Sequence, residues 1–393
     1  MIVPRRQFLA SVSALASARL NRSPAAPAGA VTLFLSGDVM TGRGIDQVLP
    51  HPSPPRLYER FVTSAVEYVQ LAERVNGPLP RPVAFDYVWG DALPELHARS
   101  PDLRIINLET SVTTSDTPVP KGINYRMHPR NVPCLQAVRP DCCVLANNHV
   151  LDWGEAGLLE TLDTLRGAGL TAAGAGRNAE EAMRPSAHVT ARGRILVFGL
   201  GSPTAGVPPD WAAAEGRPGL CVLTDLSPHT ADRVVGHIAG WKRPGDRVVA
   251  SIHWGSNWGH VIPREQRDFA HRLVENGVVD VVHGHSSHHP RGIEVHRGRL
   301  VLHGCGDFLN DYEGIDGYEE FRSELILAFF VNVDASGQLT RLEMTPFKTR
   351  RFRLERVRGE DAAWLRQTLD RECRRLGTAV EPTGDGELAL RWS

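Results

Sequence analysis

The sequence predicts a layered α/β domain whose functional face is the set of strand carboxyl ends. Two observations predict it. Short apolar runs alternate with helical patterns along most of the chain, and five of those runs deliver a carboxylate, an amide or an imidazole just past their last apolar residue. A third bounds the class: 393 residues at 42% hydrophobic and 23% charged content describe a folded chain of one large or two ordinary domains.

Residues 1–29 read as a leader and are set apart from the fold. Arg5-Arg6-Gln7-Phe8-Leu9 resembles a twin-arginine export signal, and Ala16-Ser17-Ala18 after an Ala/Ser stretch resembles a small-residue cleavage site. The protein is therefore expected to be cytoplasmic, or exported if that leader is real. The main domain is expected over residues 30–321, with C-terminal strands and a helix over 322–393 packed on it.

Residues 31–36 (VTLFLS) form a buried-strand run that delivers Asp38. Helical patterns follow over residues 57–75 and 87–98, separated by a Pro/Gly loop. Residues 103–107 make the next strand and deliver Glu109; the loop 111–133 after it offers Lys121, Tyr125, Arg126 and His128 as substrate contacts. The strand 142–146 runs into LANNHVLDWG, where Asn147, Asn148, His149 and Asp152 crowd one strand-to-helix turn. Taken alone, an Asn-rich turn with a helix cap explains that stretch.

Beyond it come a helix at 158–165, strands at 170–173 and 194–200, a Pro/Gly-rich loop at 201–219 and a helix at 225–241. The strand 247–252 ends in His253, and after a helix at 266–275 the strand 278–282 ends in His283-Gly284-His285. A hairpin over 293–295 and 300–303 leads to Gly306-Asp307. Residues 324–333 and 339–348 read as an antiparallel pair, 361–376 as an amphipathic helix and 387–392 as a last strand.

The formal net charge of −1 leaves no basic footprint for nucleic acid. No run of about 18 apolar residues exists, so no spanning helix is expected. The six cysteines have no CxxC spacing; their pattern gives no structural zinc site, and buried thiols are expected, Cys305 included.

The strand ends assemble Asp38, Glu109, Asn148, His149, His253 and the cluster His283, His285, His288 and His289. Carboxylates, an amide oxygen and imidazoles form a mixed O/N set for one or two divalent ions. Mn, Zn, Fe, Ca and Mg all stay open: imidazole favours the transition metals, a carboxylate-rich subset Ca or Mg. Trp254 and Trp258 are read as packing residues, Asp307, Asn310 and Asp311 as partners that orient a histidine or cap a turn.

The stretches LFLSGDVMTGRG, INLETSVT, VLANNHVLDWG, SIHWGSNWG, VVHGHSSHHPRGIEVHRG and LHGCGDFLNDYEG span residues 33–314. In that order they resemble the CapA-type capsule (poly-γ-glutamate) synthesis family, a branch of the calcineurin-like metallophosphoesterases. The resemblance implies a β-sandwich flanked by helices, here with a small C-terminal β+α extension. It implies Asp38, Glu109, Asn148, His253, His285 and His288 as metal ligands, and His149 as general acid or phosphate binder. His283 and His289 compete for the terminal pair, because the spacing is one residue wider than the Gly-His-x-His of that superfamily. Met40 stands where phosphoesterases carry a histidine, which weakens or removes one metal position and counts against two-metal phosphate hydrolysis.

The family includes capsule-polymer proteins of the cell envelope and a lasso-peptide epimerase. The resemblance thus implies metal-assisted acid/base chemistry on a peptide-like carboxylate, such as epimerisation at the Cα of a C-terminal residue. Asp38 with His303 or His149 would exchange the proton, and Lys121, Arg126 and Arg291 would hold the carboxylate. A capsule or poly-γ-glutamate role and a metallophosphoesterase are the alternatives.

Overall fold

The computed structural model describes residues 29–393. The leader and its export signal lie outside the described residues. Sixteen strands among the described residues build two stacked sheets. They are β1 (Val31–Val39), β2 (Leu103–Leu108), β3 (Cys142–Val144), β4 (Thr171–Ala173), β5 (Ser186–Thr190), β6 (Gly193–Gly201), β7 (Arg247–His253) and β8 (Val281–His285). The second half adds β9 (Ile293–His296), β10 (Arg299–Leu302), β11 (Asp307–Leu309), β12 (Leu325–Val333), β13 (Leu339–Arg350), β14 (Arg353–Arg356), β15 (Thr378–Pro382) and β16 (Leu388–Trp392).

The larger sheet has ten strands in the order β15-β16-β13-β12-β1-β2-β3-β4, with β11 on β1 and β14 on β13. The smaller has six, β9-β10-β8-β7-β6-β5. Strand β1 carries apolar residues on both faces because both are covered: Val31, Leu33 and Leu35 point between the sheets, while Phe34 points to the helical layer outside. The inter-sheet core is completed by Ile105 and Val144 from one sheet and Val197, Val249 and Leu302 from the other. Helices Ala92–Arg99 and Gly154–Gly167 cover the outer face of the larger sheet, and Pro228–Ala239 and Arg264–Glu275 that of the smaller. The result is a helix-flanked β-sandwich.

The C-terminal segment is integral to it: β12 pairs with β1 antiparallel, and residues beyond 324 supply five of the ten strands. The helix expected from residue 57 begins at Ala65, because the Ser64 hydroxyl accepts from Val66 N and Glu67 reaches back to the Ser64 N–H. The helix expected at 87–98 is split at Gly90, whose φ is +42° and whose added Cβ would meet the Leu354 carbonyl at 2.1 Å. All six cysteines are free thiols. No helix among the described residues is long and apolar enough to cross a membrane.

Candidate metal centre

Strand β1 brings Asp38 into register with Asn107 of β2 on one side and Asp307 of β11 on the other. The approach of β11 is close: a Cβ on Gly37 would lie 1.6 Å from the Gly306 carbonyl oxygen, so this position needs glycine. Asn107 Nδ2 donates to Asp38 Oδ1 at 2.7 Å and to Glu109 Oε2 at 3.3 Å, tying the two carboxylates together. Ser286 N donates to Asp38 Oδ2 at 3.1 Å from a backbone at φ +101°. That conformation costs a non-glycine residue about 1–3 kcal/mol and is typical of strain held at a site.

The smaller sheet contributes imidazoles. His253 and His285 are register partners at the ends of β7 and β8, with their Nδ1 atoms 3.0 Å apart. His253 Nε2 lies 3.0 Å from Asn148 Oδ1 and 3.9 Å from Glu109 Oε1. His285 Nδ1 lies 3.8 Å from Asp38 Oδ1. His288 Nδ1 lies 2.9 Å from Asp307 Oδ1, and its Nε2 lies 3.0 Å from Asn257 Nδ2. Two groups result, each with ligand atoms within 4.8 Å of one another: Asp38, His253 and His285, and Asp38, His288 and Asp307. They share Asp38.

The carboxylates and imidazoles of these groups are buried, and that decides their charge. Burial first, then the neighbouring Asp307, raises the Asp38 pKa from 3.8 to about 7. Burial and the Asp38 carboxylate raise Glu109 well above its ordinary range. Burial drives His253 and His285 well below theirs. For His288 burial favours the neutral ring, but Asp307 outweighs it and the pKa is raised. Carboxylates crowded this way favour a cation among them, and a divalent ion would reverse the shifts of the carboxylates. The donor set, carboxylate oxygens with neutral imidazoles and an amide oxygen, fits a divalent ion.

The turn after β3 places His149 beside this floor. Asn147 caps the turn: its Oδ1 accepts from His149 N and Val150 N, both at 3.1 Å. His149 Nδ1 lies 2.7 Å from Asp152 Oδ2, leaving Nε2 3.9 Å from Glu109 Oε1. Burial and the Lys121 charge lower its pKa to about 4. Lys121 Nζ donates to Asp152 Oδ1 at 2.7 Å and to the Asn148 carbonyl, so it braces the turn. A cavity of about 770 Å³ opens above, with Glu109, Asn148, His149 and His288 in its wall and Tyr125, Tyr312 and Trp258 beside them. Arg322 and Lys348 also line it.

Three expected residues lie elsewhere. His303, expected to exchange a proton with Asp38, has Nε2 3.1 Å from Glu294 Oε2 and its ring stacked on Trp254, outside the cavity wall. Arg126, expected to hold a carboxylate, donates to the Ser115 and Pro54 carbonyls and lies 3.9 Å over the Trp153 ring, so its donors are committed to backbone. Arg291 is buried behind the loop at 255–258, donating to Ser256 O at 2.6 Å. His283 bonds the Ser36 carbonyl at 2.8 Å, and His289 stacks on Phe321.

Sequence reasoning missed two things. Asp307 was read as orienting a histidine or capping a turn; its Oδ1 meets His288 Nδ1, and it also stands in the second ligand group, which does not include Met40. The signal was available, since Gly306-Asp307 repeats Gly37-Asp38. Trp258, read as packing, lines the cavity and stacks on Tyr318 with centroids 4.0 Å apart, whereas Trp254 is core.

Residues 32–312 match the family model described as bacterial capsule synthesis protein PGA_cap. The chain is 48% identical over 365 residues to a probable polyglutamine synthesis accessory protein of Mycobacterium tuberculosis, covering 92% of this chain and 96% of that one. It is 25% identical over 313 residues to the PGA biosynthesis protein CapA of Bacillus subtilis, 79% of this chain and 69% of that one. Against the capsule biosynthesis protein CapA of Bacillus anthracis the identity is 24% over 294 residues, 72% and 60% of the two chains. The match runs from the strand that carries Asp38 to the loop that follows Asp307, and this chain belongs to the bacterial capsule synthesis family PGA_cap.

Proposed function

We propose that this protein serves the synthesis of a glutamate-type polymer of the capsule or cell envelope, as a metal-dependent enzyme acting on a peptide-like carboxylate. One observation carries the reading: two ligand groups share Asp38 beside a cavity large enough for a segment of chain, in a family whose named relatives make or assist such polymers. Asp38, His253 and His285, with Glu109 and Asn148 adjacent, would hold one divalent ion; Asp38, His288 and Asp307 would hold a second. Bound there, a divalent ion supplies Lewis-acid polarisation of a carboxylate or amide carbonyl.

The chain's own residues do the rest. Asp152 fixes the His149 ring with Nε2 toward the cavity, as Asp307 fixes His288 from the other sheet. With His288 assigned to the second ion, His149 takes or returns a proton at a substrate atom in the cavity, which suits exchange at a Cα or protonation of a leaving amine. Tyr125 packs edge-on against His149 and limits water there.

Phosphoester hydrolysis is the second reading. The group containing Asp307 favours it, because it supplies a second position despite Met40.

The test incubates Mn-loaded protein in D₂O with poly-γ-glutamate, with α-linked glutamate and glutamine oligomers, and with a phosphodiester. Deuterium at Cα, chain length and phosphate release are then read by mass spectrometry and colorimetry. Cα exchange or chain-length change, lost in Asn148→Ala, is expected. Phosphate release alone would transfer the site to the second reading, and no binding or turnover of any polymer would overturn the first.

A further inference from the structure

We propose that His271, Glu294 and His296 form a separate transition-metal site, suited to zinc, at the edge of the smaller sheet. None of the three belongs to the centre at Asp38. Glu294 and His296 stand two apart on β9 and so share one face of the strand; His271 stands on the helix Arg264–Glu275 that packs over it. One ligand atom from each lies within 4.8 Å of the others. His271 Nε2 approaches Glu294 Oε1 to 3.0 Å, yet that buried nitrogen has no aligned hydrogen-bond partner. That nitrogen thus faces a carboxylate oxygen at hydrogen-bond distance without hydrogen-bond alignment. The rings of His271 and His296 stack in parallel with centroids 3.8 Å apart.

The chemistry selects the ion. Two imidazoles and one carboxylate favour zinc and its transition-metal neighbours over Mg or Ca, and three protein ligands leave a fourth position for water. Glu275, four residues after His271 on the same helix face, places Oε1 2.9 Å from His296 Nε2 and adds a further oxygen. The side chains of His271 and His296 are 20% and 24% exposed, so an ion reaches them from solvent while Glu294 stays buried. Two features oppose tight binding. Arg267 forks onto both oxygens of Glu294 at 3.1 Å, and the parallel rings must swing to aim at one point. A bound ion would pin this helix to β9, and through Glu294 to His303 beneath Trp254.

The test uses the full chain stripped with chelator. His253→Ala/Asp307→Asn serves as background, because it removes one residue from each ligand group at Asp38. Zinc is counted by elemental analysis after gel filtration, and Co(II) is read by visible absorption. The background is expected to hold one zinc and to give a Co(II) band, and adding His296→Gln removes both; Mg and Ca do not compete at equal concentration. A background that holds no zinc, or a His296→Gln variant that holds as much, overturns the site. Should the background fail to fold, the intact protein is compared directly with His296→Gln. A difference of one ion per chain is then expected, and equal counts overturn the proposal. Metal-free thermal unfolding of His296→Gln checks that this half-buried substitution leaves the fold in place.

Discussion

Asp38 is where sequence, fold and charge meet. Its β1 backbone sets it between Asn107 and Asp307, and burial with that second carboxylate holds its pKa near 7 instead of 3.8. Between those values the folded metal-free chain keeps a proton that the unfolded chain has lost. The cost to stability is therefore absent below pH 4, grows toward pH 7 and is complete above it. A metal must displace that proton, so affinity should fall by about tenfold per unit as pH drops below 7. Calorimetric titration of Mn at pH 6 and pH 8, in buffers of different ionisation enthalpy, reads both the affinity and the released proton; a pH-independent Kd with no proton release would contradict the ionisation assigned to Asp38. Asp307 carries a companion prediction. Asp307→Asn should cost one ion per chain and return the His288 pKa downward, because burial then acts without its opposing carboxylate. Elemental analysis and histidine proton NMR check the two effects. At this scale the sequence was informative where a ligand type followed a long strand, as at Asp38 and His253. It left Asp307, on a strand of three residues, between orienting a histidine and capping a turn, and at His303 strand position does not say which side chain Glu294 will capture.

The elements were legible where their apolar period was long, and less so where tertiary contacts decide. The run from Leu325 to Val333 reads as a strand from its composition, but nothing local says that it pairs with β1, more than 290 positions away in the chain. That pairing places Phe330 under the helical layer, 5.7 Å from the Phe34 ring, with the Arg99 guanidinium 4.9 Å away. Phe330→Ala should therefore cost about 3–5 kcal/mol, the range for an aromatic removed from a closed core. Urea denaturation at unchanged slope would measure it. A loss below 1 kcal/mol would mean that β12 is a loosely attached extension instead of a central strand. Gly90 illustrates the converse: the helical period continues through residues 87–98, and only the carbonyl of Leu354, far away in sequence, makes a break there necessary.

At the scale of the molecule, the two sheets meet at one polar place. Asp38, Glu109, Asn148 and Asp307 come from the ends of the larger sheet, His253, His285 and His288 from the smaller, and below them the sandwich is apolar. An ion bound there cross-links the layers, and because only the folded chain assembles the ligands, its binding free energy adds to stability. At a hundredfold excess over Kd each site contributes about 2.7 kcal/mol. Thermal unfolding of chelator-treated protein should rise on addition of Mn, with a concentration dependence that mass action sets. In Asn148→Ala the rise should shrink, because the amide oxygen that meets His253 is gone, while the group of Asp38, His288 and Asp307 stays intact. His253→Ala/Asp307→Asn, which loses one residue from each group, should show almost no rise. Mn chelated at random on the surface would stabilise all three proteins alike, and that outcome would remove the ion from the junction between the sheets.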